Sequence, residues 1–213
     1  MPGATVLVGD RVTLTTVESD DVPFLRDGVN HPEVRALVGQ PFPTNLEQER
    51  GYWADVTERS DAVQVLVTVA GDEADSGGDD AETGEVDDDS AAGTGVKGGD
   101  ADTRVPVGVV ELDPVDRETG VADLGVWIHP AHHRQGYASE AIELVVGYAF
   151  DELRVHKVTA NAYARNEASR RMLASLGFVE EGVGREDAFL DGDYHDTHYF
   201  GVLDREWRER DGE

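Results

Sequence analysis

The sequence predicts a mixed α/β fold built as one domain. Segments in which apolar residues alternate, as in strands, are interspersed with segments whose apolar residues recur at helical spacing. Two apolar segments, residues 62–70 and 105–113, flank an acidic stretch and are expected to pair as a hairpin. Residues 120–178 follow the order strand, turn, helix, strand, helix, and units of this kind bind ligands beyond the carboxyl ends of their strands. The length of 213 residues suits a single domain.

The N-terminal part of the chain contains patterns for one strand and two helices. Residues 11–17 alternate like a strand, and the sequence at 20–23 is expected to open a short helix with a proline in its first turn. A second helix is predicted from about Asn45 to Arg59, because Asn45 and Gln48 have the spacing of a capping box.

Residues 71–103 form an acidic segment inside a domain that is expected to span residues 10–208. The segment holds twelve Asp and Glu, one lysine and eight glycines. It cannot bury enough apolar surface to offset the entropy of ordering it, so it is predicted to be a disordered loop. Its Gly93-Thr-Gly95-Val-Lys-Gly98 sequence matches the glycine pattern of dinucleotide-binding loops. That pattern needs a buried strand before it, and an acidic run stands there instead, so no dinucleotide site is predicted.

The second half of the chain carries the clearest pattern. A strand is predicted at 121–129, ending before a proline, and a helix at 138–153. A further strand at 155–163 leads through Asn166 into a helix that Gly177 ends as a C-terminal cap.

The net charge of −27 excludes several classes of partner. General nucleic-acid and anionic-membrane binders need Lys and Arg to displace counterions, and this chain has 45 acidic against 18 basic residues. With Lys97 and Lys157 as its only lysines, the composition is typical of proteins from a salt-loaded cytoplasm. An acidic face that selects a cationic substrate is the alternative. No apolar run approaches the roughly 20 residues of a membrane span, and residues 1–10 lack a charged region followed by an apolar core, so a soluble, cytoplasmic protein is expected. A monomer or homodimer is expected as well.

The turn before the helix at 138–153 offers what a pyrophosphate group needs. Backbone N–H groups at a helix start lack partners within the helix, and the helix dipole places partial positive charge there. Gly136 would let the backbone approach a phosphate closely, and Arg134 adds a formal charge. A plain helix start, with Gly136 only easing the turn, is the alternative.

Four spaced blocks recur in a fixed order around this turn. They are Ala122 to Pro130, His133-Arg-Gln-Gly136-Tyr-Ala138, Asn166-Glu-Ala-Ser169 with Leu176-Gly177-Phe178, and Gly192 to Trp207. Together they resemble the Gcn5-related N-acetyltransferase (GNAT) family, and within it the subgroup that acetylates N-terminal amines of ribosomal proteins. The likeness covers residues 10–208 outside the acidic segment. It implies a central, mostly antiparallel sheet that splays at an acetyl-CoA site and is flanked by helices, with the block from Gly192 onward as a closing strand.

The resemblance implies acetyl-CoA as co-substrate and a set of residues that bind it. Backbone amides from Arg134 to Ser139 would hold the pyrophosphate, and the strand from Val126 to Ile128 would pair with the pantetheine arm. Asn166 would hydrogen-bond the same arm, a role compatible with capping the following helix. His133 stands where the family usually has Gln or Arg. The implied residues are Val126, Ile128, Arg134, Gln135, Gly136, Tyr137, Ala138, Ser139 and Asn166.

The absence of cysteine excludes an acyl-enzyme formed through a thiol and favours direct attack by the acceptor amine on the thioester. Many relatives protonate the leaving thiolate from a tyrosine seven residues after the asparagine, where this chain has Leu173. The ribosomal-protein subgroup resembles this chain in having a serine at the position of Ser169, which is therefore the candidate acid or thiolate-stabilising donor; helix capping is its alternative. Asp123 and Glu111 are the candidate bases, and strand alternation decides which of them faces the cleft.

The acceptor is an amine whose identity the sequence leaves open. The resemblance implies a protein N-terminus, such as that of a ribosomal protein, or else a small amine such as a polyamine, amino sugar or amino acid. A catalytically silent acetyl-CoA-binding module is a third possibility, because of Leu173 and His133. Since His195 and His198 would point to opposite faces of one strand, no metal site is predicted. Residues that could line the acceptor site or else lie in the core are Phe24, His31, Phe42, Trp53, Tyr194 and Tyr199.

Overall fold

The computed structural model describes residues 3–71 and 104–210, and its described part contains eight strands and six α-helices. The predicted disordered loop and the glycine motif at 93–98 lie outside the described residues, apart from Gly71. The strands are β1 (Thr5–Val8), β2 (Thr13–Thr16), β3 (Val63–Ala70), β4 (Arg104–Asp116), β5 (Val121–Ile128), β6 (Lys157–Tyr163), β7 (Val179–Leu190) and β8 (Asp193–Leu203). The helices are α1 (Val22–Asn30), α2 (Pro32–Val38), α3 (Leu46–Glu58), α4 (Tyr137–Glu152), α5 (Glu167–Ser175) and α6 (Asp204–Arg210).

The eight strands form one sheet in the order β1-β2-β3-β4-β5-β6-β8-β7, which confirms the predicted mixed α/β fold with a mostly antiparallel sheet. Every neighbouring pair is antiparallel except β5 and β6, which are parallel. Their pairing stops at Leu124 and Ala160, although β5 continues to Ile128 and β6 to Tyr163. The two strands therefore diverge, and the sheet is open between them.

The predicted hairpin and capping box are both confirmed. β3 and β4 pair from Val63 opposite Leu112 to Ala70 opposite Arg104, so the two ends of the acidic segment lie side by side. At the start of α3, the Asn45 side chain accepts hydrogen bonds from the backbone N–H groups of Glu47 and Gln48. The Gln48 side chain accepts from the Asn45 N–H at 3.0 Å in return, which fixes the first turn of the helix.

The prediction that the closing strand extends to Trp207 is wrong. β8 stops at Leu203, and Glu206 and Trp207 lie on α6. The Glu206 carboxylate accepts a hydrogen bond from the Leu203 N–H at 3.1 Å and so helps to start a helix. Trp207 then packs edge-on against Phe150 of α4 and is buried, which stabilises a helix rather than an exposed strand.

The main core lies between the sheet and α4. One face of the sheet contributes Val110, Ala122, Val158 and Val202, all fully or almost fully buried. The facing side of α4 contributes Ala141, Ile142, Val145, Val146 and Ala149, at the helical spacing that the sequence predicted. Burying one such valine or isoleucine contributes about 1.5–3 kcal/mol, so this layer holds α4 firmly against β4, β5 and β6.

A smaller cluster lies on the other face of the sheet, under α1 and α3. Val17, Leu25, Leu66 and Val109 are buried there, with Phe24, Trp53 and Trp127 packed against them. These helices pack over the β2–β5 half of the sheet, so the opening between β5 and β6 lies beside them. Across residues 3–71 and 104–210, no helix is both long enough and apolar enough to span a membrane.

Candidate active site

A cleft of about 1070 Å³ opens where β5 and β6 diverge. The first residues of α4 and the cleft-facing side of α5 form one end of it. Residues of α1, α2 and α3, with β3 and β4, form the other end. The opening in the sheet, the start of a long helix and an inner helix layer therefore meet at one site.

The edge of β5 that faces the cleft carries backbone hydrogen-bonding groups that do not pair with β6. His129 N–H donates to the Val107 carbonyl of β4, whereas the Ile128 carbonyl points the other way and contacts His133 Nε2 at 2.8 Å. Because successive residues of a strand alternate their backbone groups between the two sides, the N–H and C=O of Val126 also face the cleft. An extended ligand can pair with this edge as an added strand would.

His133, just before the turn that leads into α4, contacts the last residue of β5. Its ring contacts the Ile128 carbonyl, and since a carbonyl only accepts, Nε2 carries the proton. The side chain thus closes the end of the exposed β5 edge.

The turn before α4 has the geometry of an anion-binding helix start. Gly136 occupies the N-cap with a φ of 83°, and Arg134 has a φ of 61°. The first intrahelical bond joins the Glu140 N–H to the Gly136 carbonyl at 3.2 Å, so the amides of Ala138 and Ser139 precede the first helical bond. The 16-residue helix adds its dipole to these donors.

Arg11 lies beside this turn, and the sequence did not predict its position there. The segment between β1 and β2 is held against α4 because the Glu140 carboxylate accepts hydrogen bonds from the N–H groups of Arg11 and Val12 at 2.8 and 3.1 Å. A Cβ placed on Gly136 would lie 2.7 Å from the Arg11 guanidinium, which also lies over the Tyr137 ring. A second arginine therefore joins Arg134 at the turn, from more than a hundred residues away in sequence.

The start of α5 brings Asn166, Ser169 and Leu173 to one wall of the cleft. Asn166 caps the helix, and its Oδ1 accepts from the Ser169 N–H at 3.1 Å. The capping uses the amide oxygen, so the Nδ2 donors are still available to a ligand. Leu173 lies one turn further along and is buried.

Glu111 and Asp123 lie on the same face of the sheet, so alternation does not choose between them. Glu111 is directly opposite Gly125, and Asp123 is two residues before Gly125 on β5. A Cβ on Gly125 would lie 2.8 Å from Glu111 Oε1, so this glycine makes room for the carboxylate. Both carboxylates line the cleft.

Burial raises the pKa of both carboxylates, and the nearby charge of Asp113 raises both further. Burial raises the pKa of Glu111, the carboxylates of Asp113 and Asp123 raise it further, and a hydrogen bond from Gln64 Nε2 at 3.0 Å opposes the change. Burial also raises the pKa of Asp123, against a hydrogen bond that Thr159 donates at 2.9 Å. A carboxylate with a raised pKa is a better proton acceptor near neutral pH.

The end of the cleft formed by α1, α2 and α3, called the acceptor end below, contains residues that the sequence did not predict. Glu49, Tyr52 and Gln64 line it together with Phe42, the one candidate acceptor residue that does so. Phe24 and Trp53 pack in the smaller cluster instead, and His31 caps α2 and contacts His129 edge-on. Tyr194 and Tyr199 lie on β8, where they contact Phe189 and Asp187 respectively.

His195 and His198 lie on β8, and His198 contacts Glu180 at 3.0 Å. Within the described ranges, no group of three or more His, Asp or Glu side chains is placed to hold a metal ion.

Residues 11–179 match the acetyltransferase (GNAT) domain family. This chain belongs to the GNAT family. Over 100 residues it is 34% identical to YdaF of Bacillus subtilis, provisionally named a ribosomal N-acetyltransferase, an alignment that covers 47% of this chain and 55% of YdaF. The chain spans about half the length of the curated relatives it matches.

Solved GNAT structures share the whole architecture. Spermidine N-acetyltransferase from Vibrio cholerae, in complex with CoA and spermine, has a TM-score of 0.76 at 18% identity, covering 94% of this chain and 99% of that chain. RimL, a ribosomal L7/L12 alpha-N-protein acetyltransferase in complex with CoA, has a TM-score of 0.72 at 16% identity, covering 94% and 98%. At these identities the likeness confirms the GNAT fold and no more.

Proposed function

We propose that this protein transfers the acetyl group of acetyl-CoA to a primary amine, by direct attack of the amine on the thioester. One observation carries the proposal: the divergence of β5 and β6 opens a cleft that joins a strand edge not paired with β6, a glycine-capped helix start and two carboxylates with raised pKa values. Family membership supports the reaction class, and the complexes of the spermidine enzyme and RimL with CoA support the co-substrate.

The residues of the cleft fit acetyl-CoA, which would supply an activated acyl group as a thioester. The amides from Arg134 to Ser139, with the charges of Arg11 and Arg134, suit the pyrophosphate. The edge of β5 at Val126 and Ile128 suits the amide groups of the pantetheine arm. The remaining donors of Asn166 lie on the same wall.

Three side chains are assigned to the chemistry. A primary amine is mostly protonated at neutral pH and must lose a proton before it can attack, and we assign that proton to Glu111, with Asp123 as the second base. As the amine nitrogen bonds to the acetyl carbon, the carbon–sulfur bond breaks and the electron pair leaves on sulfur. The nitrogen then passes its second proton to Asp123, which leaves a neutral amide. Ser169, on the facing wall, is assigned to donate a hydrogen bond to that sulfur.

The N-terminal amine of a protein, such as a ribosomal protein, is the acceptor we propose first. The cleft has an exposed rim at Phe42, which leaves room for a chain that continues beyond the amine, and the likeness to YdaF supports it. A small amine such as a polyamine is the second candidate, because the carboxylates at the acceptor end favour a cation. The acid-rich composition supports action in a salt-loaded cytoplasm.

The test is to incubate the protein in high salt with acetyl-CoA and a panel of peptides and small amines, and to assay free thiol. Amine-dependent thiol release is expected, together with acetylated acceptor detected by mass spectrometry. Tight CoA binding without amine-dependent thiol release across the panel would contradict transfer and favour a silent acetyl-CoA-binding module.

Replacing Ser169 by alanine is expected to lower kcat by about 10-fold, because one donor to the leaving sulfur is lost. The affinity for CoA should change little. Ser175→Ala is the matched control, since Ser175 lies on the same helix, is exposed and only contacts the Met172 carbonyl. Steady-state kinetics with a saturating amine would show the difference, and an unchanged kcat would remove Ser169 from the chemistry.

Replacing Arg11 by glutamine is expected to raise the Kd for CoA by about 3- to 10-fold, with a smaller change in kcat. The guanidinium is about half exposed, so its contribution to phosphate binding is modest and should shrink as salt rises. Calorimetric titration at low and high salt would measure it, with the exposed Arg185→Gln as control. If CoA binds both variants equally at low salt, Arg11 takes no part in phosphate binding.

A further inference from the structure

Glu49 is a buried carboxylate at the acceptor end of the cleft. The capping box at Asn45 begins α3 so that Glu49, Tyr52 and Val56 follow one another on its inner side. Glu49 is 5% exposed and lines the cleft, whereas Glu47 and Glu58 on the same helix are exposed to solvent.

Glu49 has no side-chain partner among residues 3–71 and 104–210: its carboxylate makes no hydrogen bond or ion pair there. Burial raises its pKa, and the nearby charge of Glu111 raises it further. A largely buried carboxylate without a partner is costly when it is ionised, and a cation bound in the cleft would offset that cost. Because Glu49 lines the cleft and lacks a partner, its carboxylate is suited to bind a cation.

The other carboxylates near Glu49 either have a cation of their own or have only neutral partners. Asp113 is paired with Arg59, whose guanidinium contacts both carboxylate oxygens at 2.6 and 2.9 Å. Glu111 and Asp123 accept hydrogen bonds from Gln64 and Thr159, which are neutral.

Apart from Arg59, which Asp113 already engages, the positive side chain that the described residues bring to the cleft lies at its opposite end. Of the described residues that line the cleft, Arg134 is the only Arg or Lys, and it lies in the turn before α4. Three carboxylates at the acceptor end, Glu49, Glu111 and Asp123, thus lack a cationic partner in the described chain.

A single ammonium group does not balance this charge. The reacting amine arrives with one positive charge and passes its proton to a base, which neutralises one carboxylate. Glu49, which also lines the cleft, still lacks a partner. Tyr52 lies beside it, and because burial and the nearby carboxylates raise its pKa to about 12, the phenol stays neutral and cannot serve as a second anion or as a cation.

We infer that the acceptor carries a second cationic group, separate from the amine that is acetylated, and that Glu49 binds it. The inference rests on the proposed function and specifies its substrate class. The required chemistry is an ammonium or guanidinium a few bonds from the reacting amine. A diamine or polyamine has it, and so does a peptide with Lys or Arg close to its N-terminus.

The first test compares 1,4-diaminobutane with 1-aminobutane and 4-amino-1-butanol, which keep the reacting amine and lose the second charge. The wild-type protein should prefer the diamine by about 10-fold or more in kcat/KM, as expected for a charge-assisted contact in a buried site. Glu49→Gln should remove most of that preference. Glu58→Gln, the same change at an exposed position of α3, should retain it.

The second arm separates the two sources of the cation. The peptides Ala-Lys-Ala-Ala and Ala-Gln-Ala-Ala differ in one charge next to the reacting N-terminus. A Glu49-dependent preference among the peptides identifies a protein N-terminus, one among the small amines identifies a polyamine, and either supports the inference. Equal kcat/KM for charged and uncharged members in both arms would overturn it, as would a preference that persists in Glu49→Gln.

The role of Glu49 can be tested by binding even if the protein does not catalyse acetyl transfer. If CoA binds but no amine releases thiol, transfer is contradicted, and 1,4-diaminobutane can still be titrated calorimetrically into the CoA-loaded protein. Binding by wild type that Glu49→Gln loses supports the site, and equal or absent binding by both overturns it.

Folding of the variant provides a further check. Since glutamine removes an uncompensated buried charge, Glu49→Gln should unfold at a temperature equal to or above that of wild type.

Discussion

Replacing Glu111 by glutamine is expected to lower kcat by about 10²- to 10³-fold, the largest loss among the single substitutions considered. Glutamine keeps the shape of the side chain and its contact with Gln64, but it cannot accept the proton of the incoming ammonium. Asp123→Asn should cost less, because Asp123 is shorter and one of its oxygens already accepts a hydrogen bond from Thr159. The affinity for CoA should change little in both variants.

The pH profile gives the sign of the effect. A base works only when ionised, so kcat/KM should rise with pH through the pKa of Glu111. That pKa is raised by burial and by neighbouring carboxylates, so the rise should lie above the ordinary range of a glutamate. In Glu111→Gln this limb should disappear.

The free energy of unfolding should fall as pH rises through the pKa of Glu111, whereas kcat/KM should rise. A carboxylate whose pKa is higher in the folded protein than in the unfolded chain stabilises the fold while it is protonated. This contribution is present below the unfolded-chain pKa and is lost as pH rises through the folded-state pKa. Glu111→Gln should therefore lose less stability than wild type over that rise, as measured by chemical denaturation at several pH values.

Glu118→Gln serves as the control for the kinetic test, because Glu118 is exposed in the turn between β4 and β5. A large loss in Asp123→Asn together with a small loss in Glu111→Gln would assign the base to Asp123. Small losses in both would leave proton removal to solvent.

Replacing Gly136 by valine is expected to raise the Kd for CoA by about 100-fold. A φ of 83° is strained for any residue with a Cβ and most strained for a β-branched one, which costs roughly 1–2 kcal/mol or shifts the turn. The new side chain would also meet the Arg11 guanidinium and stand where a phosphate approaches the amides of α4.

The matched control is Gly147→Val, in the middle of the same helix. A Cβ there meets no atom within 4 Å apart from the backbone of its own helix, and the helical φ and ψ are allowed for valine. Calorimetric titration with CoA would compare the two variants, and thermal unfolding would show that both are folded. Equal affinities would mean that the turn before α4 does not bind the pyrophosphate.

Local patterns in the sequence predicted those parts of the fold that depend on neighbouring residues. The capping box at Asn45, the hairpin of β3 and β4, and the strand, turn and helix from Val121 to Glu152 all follow from spacing within a few residues. The strand β1 and the helix α2 were missed because each is short and carries a weak pattern.

The parts of the site that could not be predicted depend on contacts between distant segments. Arg11 reaches Gly136 only because Glu140 holds the segment before β2. Glu49 belongs to a helix whose sequence is largely polar, so no periodicity distinguishes its buried carboxylate from the exposed ones. The choice between Glu111 and Asp123 needed the register of β4 on β5, which places both on one face.

The short pairing of β5 with β6 divides the sheet into two halves, β1 to β5 and β6 to β8, and this pairing is the seam between them. Four residue pairs connect them, and beyond Leu124 the polypeptide supplies no further rungs. A ligand that pairs with Val126 and Ile128 would supply backbone hydrogen bonds that β6 does not make there. It would then connect the two halves of the sheet as a strand does. Rigidity of the seam, and with it the resistance of the domain to unfolding, would then vary with ligand concentration.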